Sequence, residues 1–322
     1  MGLIYCGIDE AGFGPMLGPL CVGMTAVRVR DWQPESGAPD LWSRLTTEVC
    51  RAAKDAKNGR LAVADSKALK GSNTLKTRHP LRHLERGVLA FAGAMGLAIT
   101  DDASLCAGTG TEFEACDWQR GDPVALPLDW SAGERAIASN VLGKGLERAG
   151  VDVVDMRCRA LGVGEFNRVV ERSGSKGAAT EIAIIEHMAR ARERWGDGDD
   201  HIRVVCDRQS GRMDYSGLMR RVWGPGVEEL ERSNRVSRYR VGERVGVQFV
   251  PEAEDAHMPV ALASMLAKLV RELAMIRFNR YWASRVPELK PTAGYVQDAR
   301  RWLKDAGDAV SPDDRRAMVR IA

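Results

Sequence analysis

The chain has 322 residues, with 47 Lys and Arg against 44 Asp and Glu, and 44% of it is hydrophobic. These are the proportions of a soluble globular protein of one large domain or two ordinary ones, and a net charge of +3 is too small by itself to announce a nucleic-acid binder. The seven cysteines are scattered without a Cys-x-x-Cys pair, which excludes a zinc ribbon or a disulfide framework and predicts reduced thiols in a cytoplasmic protein.

The longest charge-free run, Ala11 to Val27, is broken by glycines and prolines and lacks a basic leader, so neither a signal peptide nor a membrane anchor is expected. Cys6 stands where a myristoylation signal needs Ser or Thr. Charge is uneven along the chain. Residues 101–130 are acidic, whereas the chain from about residue 203 is Arg-rich and is where a polyanion would be expected.

In chain order, Leu3 to Ile8 reads as a strand that ends in Asp9-Glu10 and runs into Gly12-Phe13-Gly14-Pro15. Leu17 to Val29 is apolar and β-rich and is expected to fold back on it as a hairpin. Side chains alternate along a strand, so Asp9 and Glu10 can share one site only where the pleat breaks. Apolar spacing at Leu41, Leu45, Val49 and Ala52 predicts a helix over 41–57. A basic segment (Lys70, Lys76, Arg78, His79, Arg82, His83) leads into a helix over 84–95.

Residues 101–130 show no sustained period and read as an irregular acidic insertion, which with the next helix spans about 101–150. That helix starts at the capping box Ser131-Ala132-Gly133-Glu134 and runs to about Arg148. Residues 151–161 read as a strand, 164–172 and 178–195 as helices, and Ile202 to Asp207 as a short β-branched strand again ending in a carboxylate. A short helix over 217–223 and two strands within 235–250 precede Glu252-Ala253-Glu254-Asp255. Pro259 opens a long helix to about Trp282, and helices at 295–304 and after Ser311-Pro312 close the chain. A hairpin followed by alternating strands and helices implies an α/β fold around a mixed central sheet flanked by helices.

Gly7-Ile8-Asp9-Glu10-Ala11-Gly12-x-Gly14-Pro15, Asp65-Ser66-Lys67-x-Leu69, Asp207 after a β-branched strand, Asp255 before Ala263-Ser264-x-x-Ala267-Lys268-x-x-Arg271, and Gly294-Tyr295 follow one another in an order and spacing that resembles ribonuclease HII. The resemblance implies a ribonuclease H-like core over 1–255 and a C-terminal helical region over 256–322 that completes a substrate groove. It implies Asp9, Glu10, Asp207 and Asp255 as catalytic carboxylates and ligands of two Mg²⁺ or Mn²⁺ ions. Hard carboxylate oxygens suit those ions, and a pair of them about 4 Å apart can activate water and stabilise a leaving oxygen.

It further implies that main-chain groups of Gly12-Phe13-Gly14 meet a ribonucleotide 2′-hydroxyl and that Tyr295 stacks on the following sugar. Lys67, Ser264, Lys268 and Arg271 are candidates for phosphate contacts or for orienting ligands, Arg271 equally for a structural salt bridge. The activity implied is an endonuclease acting on RNA in RNA/DNA hybrids or at ribonucleotides embedded in duplex DNA, working as a cytoplasmic monomer without a membrane. A non-catalytic nucleic-acid-binding relative and, on the weaker Gly7-Ile8-Asp9 phosphate-loop likeness, an actin-like ATPase are the alternatives.

The chain departs from the family pattern at four places. Phe13 replaces a basic residue, Arg208 a glycine, and Ala253-Glu254 the usual basic residue before the last carboxylate; a basic tail after Ile321-Ala322 is missing. Arg208 and Arg212 are candidates to supply the missing charge, and Glu254 could bind metal or add repulsion. Of the histidines only His257, two residues after Asp255, stands near the motif, and a helix-start role is its ordinary reading.

Overall fold

The apolar runs on either side of the first glycine turn pair as an antiparallel hairpin, β1 (Leu3–Ala11) with β2 (Leu20–Val29), from Leu3 opposite Val29 to Ala11 opposite Cys21. In the computed structural model, which describes residues 1–73 and 77–321, both strands are buried almost throughout, so each face of the hairpin needs a cover. Lys76 of the basic segment and Ala322 of the C-terminal region lie outside the described residues.

The helix expected over 41–57 is absent. Only α1 (Leu41–Arg44) forms, capped by the Asp40 carboxylate, and the chain then extends into β3 (Val49–Cys50), which pairs in parallel with β4 (Leu61–Ala62). Leu41, Leu45 and Val49 are buried as their spacing suggested. They reach the core from three kinds of backbone: Leu41 from the single helical turn, Leu45 from the turn after it, and Val49 from the strand, where its β-branched side chain is favoured.

Next come α2 (Ser66–Leu69) and α3 (Arg82–Ala94). The acidic stretch is not wholly irregular, since it contains α4 (Asp102–Thr109), which starts at a reciprocal Asp101–Ser104 capping box and stops at left-handed Gly110. Its small residues gave no amphipathic period. What anchors it is Asp102, whose buried carboxylate accepts from Arg277 Nη2 at 2.8 Å across the fold.

Helix α5 (Ala132–Arg148) begins at its predicted Ser131–Glu134 box. Strand β5 (Val151–Leu161), helices α6 (Val163–Ser173) and α7 (Gly177–Trp195), strand β6 (His201–Asp207) and α8 (Ser216–Trp223) follow as expected. Strand β7 (Val227–Arg232) is an addition; its exposed Glu-rich pattern hides it, and β8 (Ser237–Val241) holds it in a hairpin. After β9 (Val245–Val250) come α9 (Met258–Ala283), α10 (Val296–Ala306) and α11 (Pro312–Met318).

The main sheet has seven strands in the order β5-β2-β1-β6-β9-β8-β7, with β1, β6 and β9 parallel and the flanking strands antiparallel. It is the mixed sheet between helices that the sequence implied. Helices α7 and α8 cover one face through Ile184, Met188, Leu218 and Met219, and α9 with α3 covers the other. The far half of α9 forms a third cluster, Phe278 and Trp282 against Trp302 of α10. All seven cysteines are free thiols. Among the described residues no helix is long and apolar enough to cross a membrane.

Helix α9 lies on β1 and β2 without intervening side chains. A Cβ on Gly7 would fall 2.1 Å from Val260 N, and one on Gly23 would fall 2.3 Å from Ala263 O. Thr25 Oγ1 donates to Pro259 O at 2.6 Å beside them. Gly7→Ala must therefore lift the start of α9, and we expect a stability loss at the upper end of about 1–3 kcal/mol for overpacking. Chemical denaturation checks this, and an unchanged midpoint would mean that the helix does not depend on this contact.

Candidate functional site

Strands β1 and β6 run parallel and side by side, so their carboxyl ends open at one edge, where ligands of such sheets are commonly held. Asp9 and Asp207 stand there. Pairing of β1 with β6 ends at Ile8 opposite Cys206, while pairing with β2 continues through Glu10 opposite Val22. The pleat thus does not break at Glu10. Instead β1 outruns β6, leaving Glu10 beyond the end of its neighbour and free to share charge with Asp207.

Asp9 is 7% exposed, and its Oδ1 accepts from Glu10 N at 2.7 Å. Burial, then Glu10 and Asp207, raise its pKa far above the ordinary carboxylate range, against the pull of a hydrogen bond from Ser264. Glu10 is pushed up to about 7 by burial and Asp207, with Lys67 opposing. Asp207 accepts from Ala253 N at 3.1 Å and is also raised, burial first.

The loop after β9 adds one more carboxylate. Glu252 sits in the left-handed region (φ 50°, ψ 42°), and the turn this makes presents Ala253 N to Asp207. Glu254 follows, half-buried, with Oε2 out of contact with solvent and without a hydrogen-bond partner. Burial and Asp207 raise its pKa, and it in turn raises those of Asp9 and Glu10. Asp255 is exposed, its carbonyl accepts from Arg51 Nη1 at 2.8 Å, and its charge acts on Glu254 but is not among the leading influences on Asp9 or Glu10. Among the described residues no three His, Cys, Asp or Glu side chains form a ready-made metal cluster.

Of the expected auxiliary residues, Ser264 and Lys67 reach the carboxylates. Ser264 Oγ is 3.0 Å from Ser66 Oγ and lies against Asp9. For Lys67, burial works against the charge, but Asp65, Asp9, Glu254 and Asp207 outweigh it and its pKa is raised. Lys268 instead pairs with Glu272 at 3.0 Å, one turn along α9, and its ammonium lies 5.8 Å from the ring centre of Tyr295. Tyr295 is 49% exposed at the N-cap of α10.

Arg271 is fully buried and forms no salt bridge among the described residues. It donates to the carbonyls of Pro19 (3.1 Å), Leu17 (3.2 Å) and Ala293 (3.1 Å), tying the glycine turn to the segment before Tyr295. Gly12 has φ +92°, and a Cβ there would meet Arg271 Cδ at 2.6 Å; Gly14 is exposed with open space around it. The Phe13 ring is partly buried and packs against the core between the sheet and α7, while Gly14 beside it is exposed.

Arg320 gave no signal in the sequence, standing outside every motif a few residues after Arg315 and Arg316. It is 3% exposed and donates through Nη1 to Gly12 O at 2.5 Å, behind the turn, with its guanidinium 4.7 Å from the Phe166 ring centre. Burial and nearby Arg271 lower its pKa to about 9. The strap it belongs to is held by a Leu17–Val319 bridge and by Asn167, which bonds Val319 O and Ile321 N.

Three residues near the motif are engaged elsewhere. Arg208 donates to Asn234 O (2.8 Å) and Ser233 O (2.9 Å) and so anchors the β7–β8 hairpin. Arg212 pairs with Glu181. His257 precedes α9 with Nδ1 2.5 Å from Tyr5 Oη, and burial and Arg203 hold its pKa down to about 4, so it is neutral.

No protein-family model and no curated protein matches the chain. Solved structures similar to it include ribonuclease HII of Archaeoglobus fulgidus in complex with PCNA, at 15% identity over 99% of this chain and 94% of that one, TM-score 0.43. The ribonuclease H2 of Pyrococcus horikoshii is similar at 14% over 94% and 86%, TM-score 0.39, and the ribonuclease H3 of Aquifex aeolicus at 12% over 98% and 70%, TM-score 0.40. Likenesses of this degree carry no weight for activity.

The raised pKa of Glu10 has a definite sign. A carboxylate that is more basic folded than unfolded stabilises the fold below its unfolded pKa, and that stability is lost as pH rises towards about 7. Glu10→Gln should therefore raise the stability of the metal-free protein at pH 8 by on the order of 2 kcal/mol, and hardly at all at pH 4. Urea denaturation at the two pH values measures this, and equal effects would mean that Glu10 is not strained by its neighbours.

Proposed function

We propose that the chain is a metal-dependent endoribonuclease of the ribonuclease H type 2 kind, hydrolysing RNA in RNA/DNA hybrids or at ribonucleotides embedded in duplex DNA. The observation that carries this reading is the gathering of Asp9, Glu10, Asp207 and Glu254 at the open end of two adjacent parallel strands, where burial raises the pKa of each and the charges of Asp207 and Glu254 raise those of Asp9 and Glu10 further. Four such groups held together gain from a cation, because it relieves both the repulsion and the lost hydration.

The donor set fits a hard divalent ion. All the donors are carboxylate oxygens with neither Cys nor His among them, and Glu254 Oε2 is buried with no other partner. Asp9, Glu10 and Asp207 would hold Mg²⁺ or Mn²⁺, with Glu254 taking the fourth place that the resemblance assigned to Asp255. Bound there, the ions would supply charge neutralisation at the phosphodiester and an activated water.

The chain's own residues then have separable tasks. Ser264 orients Asp9, and Lys67 offers a cation to the phosphate at the same edge. The main chain of Phe13 and Gly14 is positioned to meet a ribose 2′-hydroxyl, held from behind by Arg271 and Arg320. Tyr295, held near Lys268, is placed to stack on the next sugar. In this reading residues 256–322 complete the substrate groove against the core. A non-catalytic binder of the same substrate is the second reading, because the carboxylates do not form a ready cluster among the described residues.

Purified protein with Mg²⁺ or Mn²⁺ should nick a labelled RNA/DNA hybrid or a duplex with one ribonucleotide and leave an all-DNA duplex intact. Asp9→Asn should abolish nicking, and Glu254→Gln should reduce it by at least about 100-fold if Glu254 is a ligand, a loss of about 2.7 kcal/mol. Asp255→Asn should change the rate little. The reverse ranking of the last two would restore Asp255 to the site, and binding without cleavage under either ion would favour the non-catalytic reading.

A further inference from the structure

Away from the carboxylates, α3, the loop after β3 and the insertion helix α5 enclose an open cavity of about 880 Å³. Its lining holds Lys54, Lys57, Arg60, Arg78, Arg82 and Arg86, with Glu134 the one carboxylate among the lining residues. This concentration of cations was not where the charge count along the sequence pointed. Residues 54–86 are joined to α5 only by the fold.

The positive charge is poorly compensated. Glu134 is turned back into its capping box, accepting from Ser131 N at 2.9 Å. Asp129, just outside, meets Arg82 at 3.4 Å, and Arg60 is held by the Val49 carbonyl. Among the described residues Lys54 and Lys57 form no ion pair, and both are exposed. Arg86 Nε is buried without a hydrogen-bond partner, while its guanidinium lies 5.0 Å from the Trp130 ring centre. The cations also feel one another: burial first, then Arg78, Arg82 and Arg86 in turn, lower the pKa of His83.

We propose that this cavity is a second phosphate-binding site, which grips the backbone of a nucleic-acid duplex at a distance from the carboxylates. Forked guanidiniums and flexible lysine stems over a broad opening suit a row of phosphates, which need charge more than shape. The location suits it as well. Ala62 lines the cavity and Lys67, whose charge acts on Glu10, lies five residues further on, so these two backbone positions are at most about 18 Å apart. That is no more than about five base-pair steps along a duplex. The identity of the polyanion as the duplex being cut rests on the function proposed above; the affinity of the cavity for phosphate does not.

The test uses the full chain and the double variant Lys54→Glu/Lys57→Glu, whose positions are exposed, with Arg82→Gln as an independent variant and circular dichroism to verify folding. Fluorescence anisotropy measures the binding of an all-DNA duplex, which is not a cleavage substrate, across a salt series. We expect the double variant to bind at least tenfold more weakly at low salt, with a salt slope shallower by about 0.9 for each phosphate that is no longer neutralised.

Unchanged affinity and slope in both variants would overturn the proposal, as would a wild-type protein that cleaves hybrids yet has no affinity for the all-DNA duplex. If the wild type binds duplex through these residues but cleaves nothing, the cavity stands and the nuclease reading falls. Inorganic tripolyphosphate and polyglutamate are the competing probes. Displacement of duplex by tripolyphosphate from the wild type, absent in the variants, supports a phosphate site, and equal displacement by polyglutamate would assign the cavity to an acidic protein segment instead. If neither duplex nor tripolyphosphate binds, the cavity is not a phosphate site.

Discussion

Everything at the carboxylate end depends on how closely one helix can approach one hairpin. Gly7 and Gly23 form a floor with no side chains, and α9 lies on it with the backbone at Pro259–Val260 and Ala263 in direct contact. That seat places Ser264 against Asp9 and Arg271 under the turn that follows β1. A helix held one side-chain diameter further out would keep the hydrophobic core and lose the site. The same seat lets the hydroxyl of Thr25 satisfy the carbonyl of Pro259 at the helix start, where an orphaned acceptor would be costly.

The glycine turn is held by cations that form no salt bridge among the described residues. Arg271 and Arg320 are both almost wholly buried, and both bind main-chain carbonyls rather than carboxylates. Each leaves a buried Nε without a partner. Two uncompensated guanidiniums beneath a loop are destabilising as isolated charges, and burial lowers the pKa of both, that of Arg320 further through Arg271. Their joint effect is to pull the carbonyls of Gly12, Leu17 and Pro19 inward. A rigid loop with a positive field beneath it is a suitable reader of a sugar beside a phosphate.

Charge is partitioned over the molecule. The carboxylates gather at one sheet edge with Lys67, and much of the acidic insertion is tied to the body of the protein through Asp102 and Arg277. The insertion helix α5 then closes a cavity over cations contributed by residues far from it in sequence. The insertion is acidic in composition, yet its tertiary role is to wall a basic cavity. Local charge count and local potential differ because neighbours across space, not along the chain, set the field.

Much of the fold was legible because its long elements carry strong local signals. Strand β1 is an apolar run and β6 a β-branched one, each leading into carboxylates, α5 announces itself by Ser131 and Glu134, and α9 by Pro259 and an unbroken helical run. The 41–57 segment misled because helical spacing over four apolar residues can equally be met by a single helical turn, a turn and a short strand packed against a core, and only the pairing of Val49–Cys50 with Leu61–Ala62 decides between them. Helix α4 is held by Arg277, distant in sequence, and strand β7 by its hairpin partner β8; neither has an apolar period of its own. The sequence by itself determined that carboxylates stand at strand ends beside a glycine turn, because strand propensity, turn chemistry and residue order are local. Only the tertiary structure decided which of two adjacent acids faces inward. The left-handed backbone at Glu252 turns Glu254 towards Asp207 and leaves Asp255 in solvent, and a rotation of that kind is set by what the loop packs against. It decided likewise that Arg208 braces a hairpin while Arg320 holds the turn, since which carbonyls a guanidinium reaches depends on how distant segments meet.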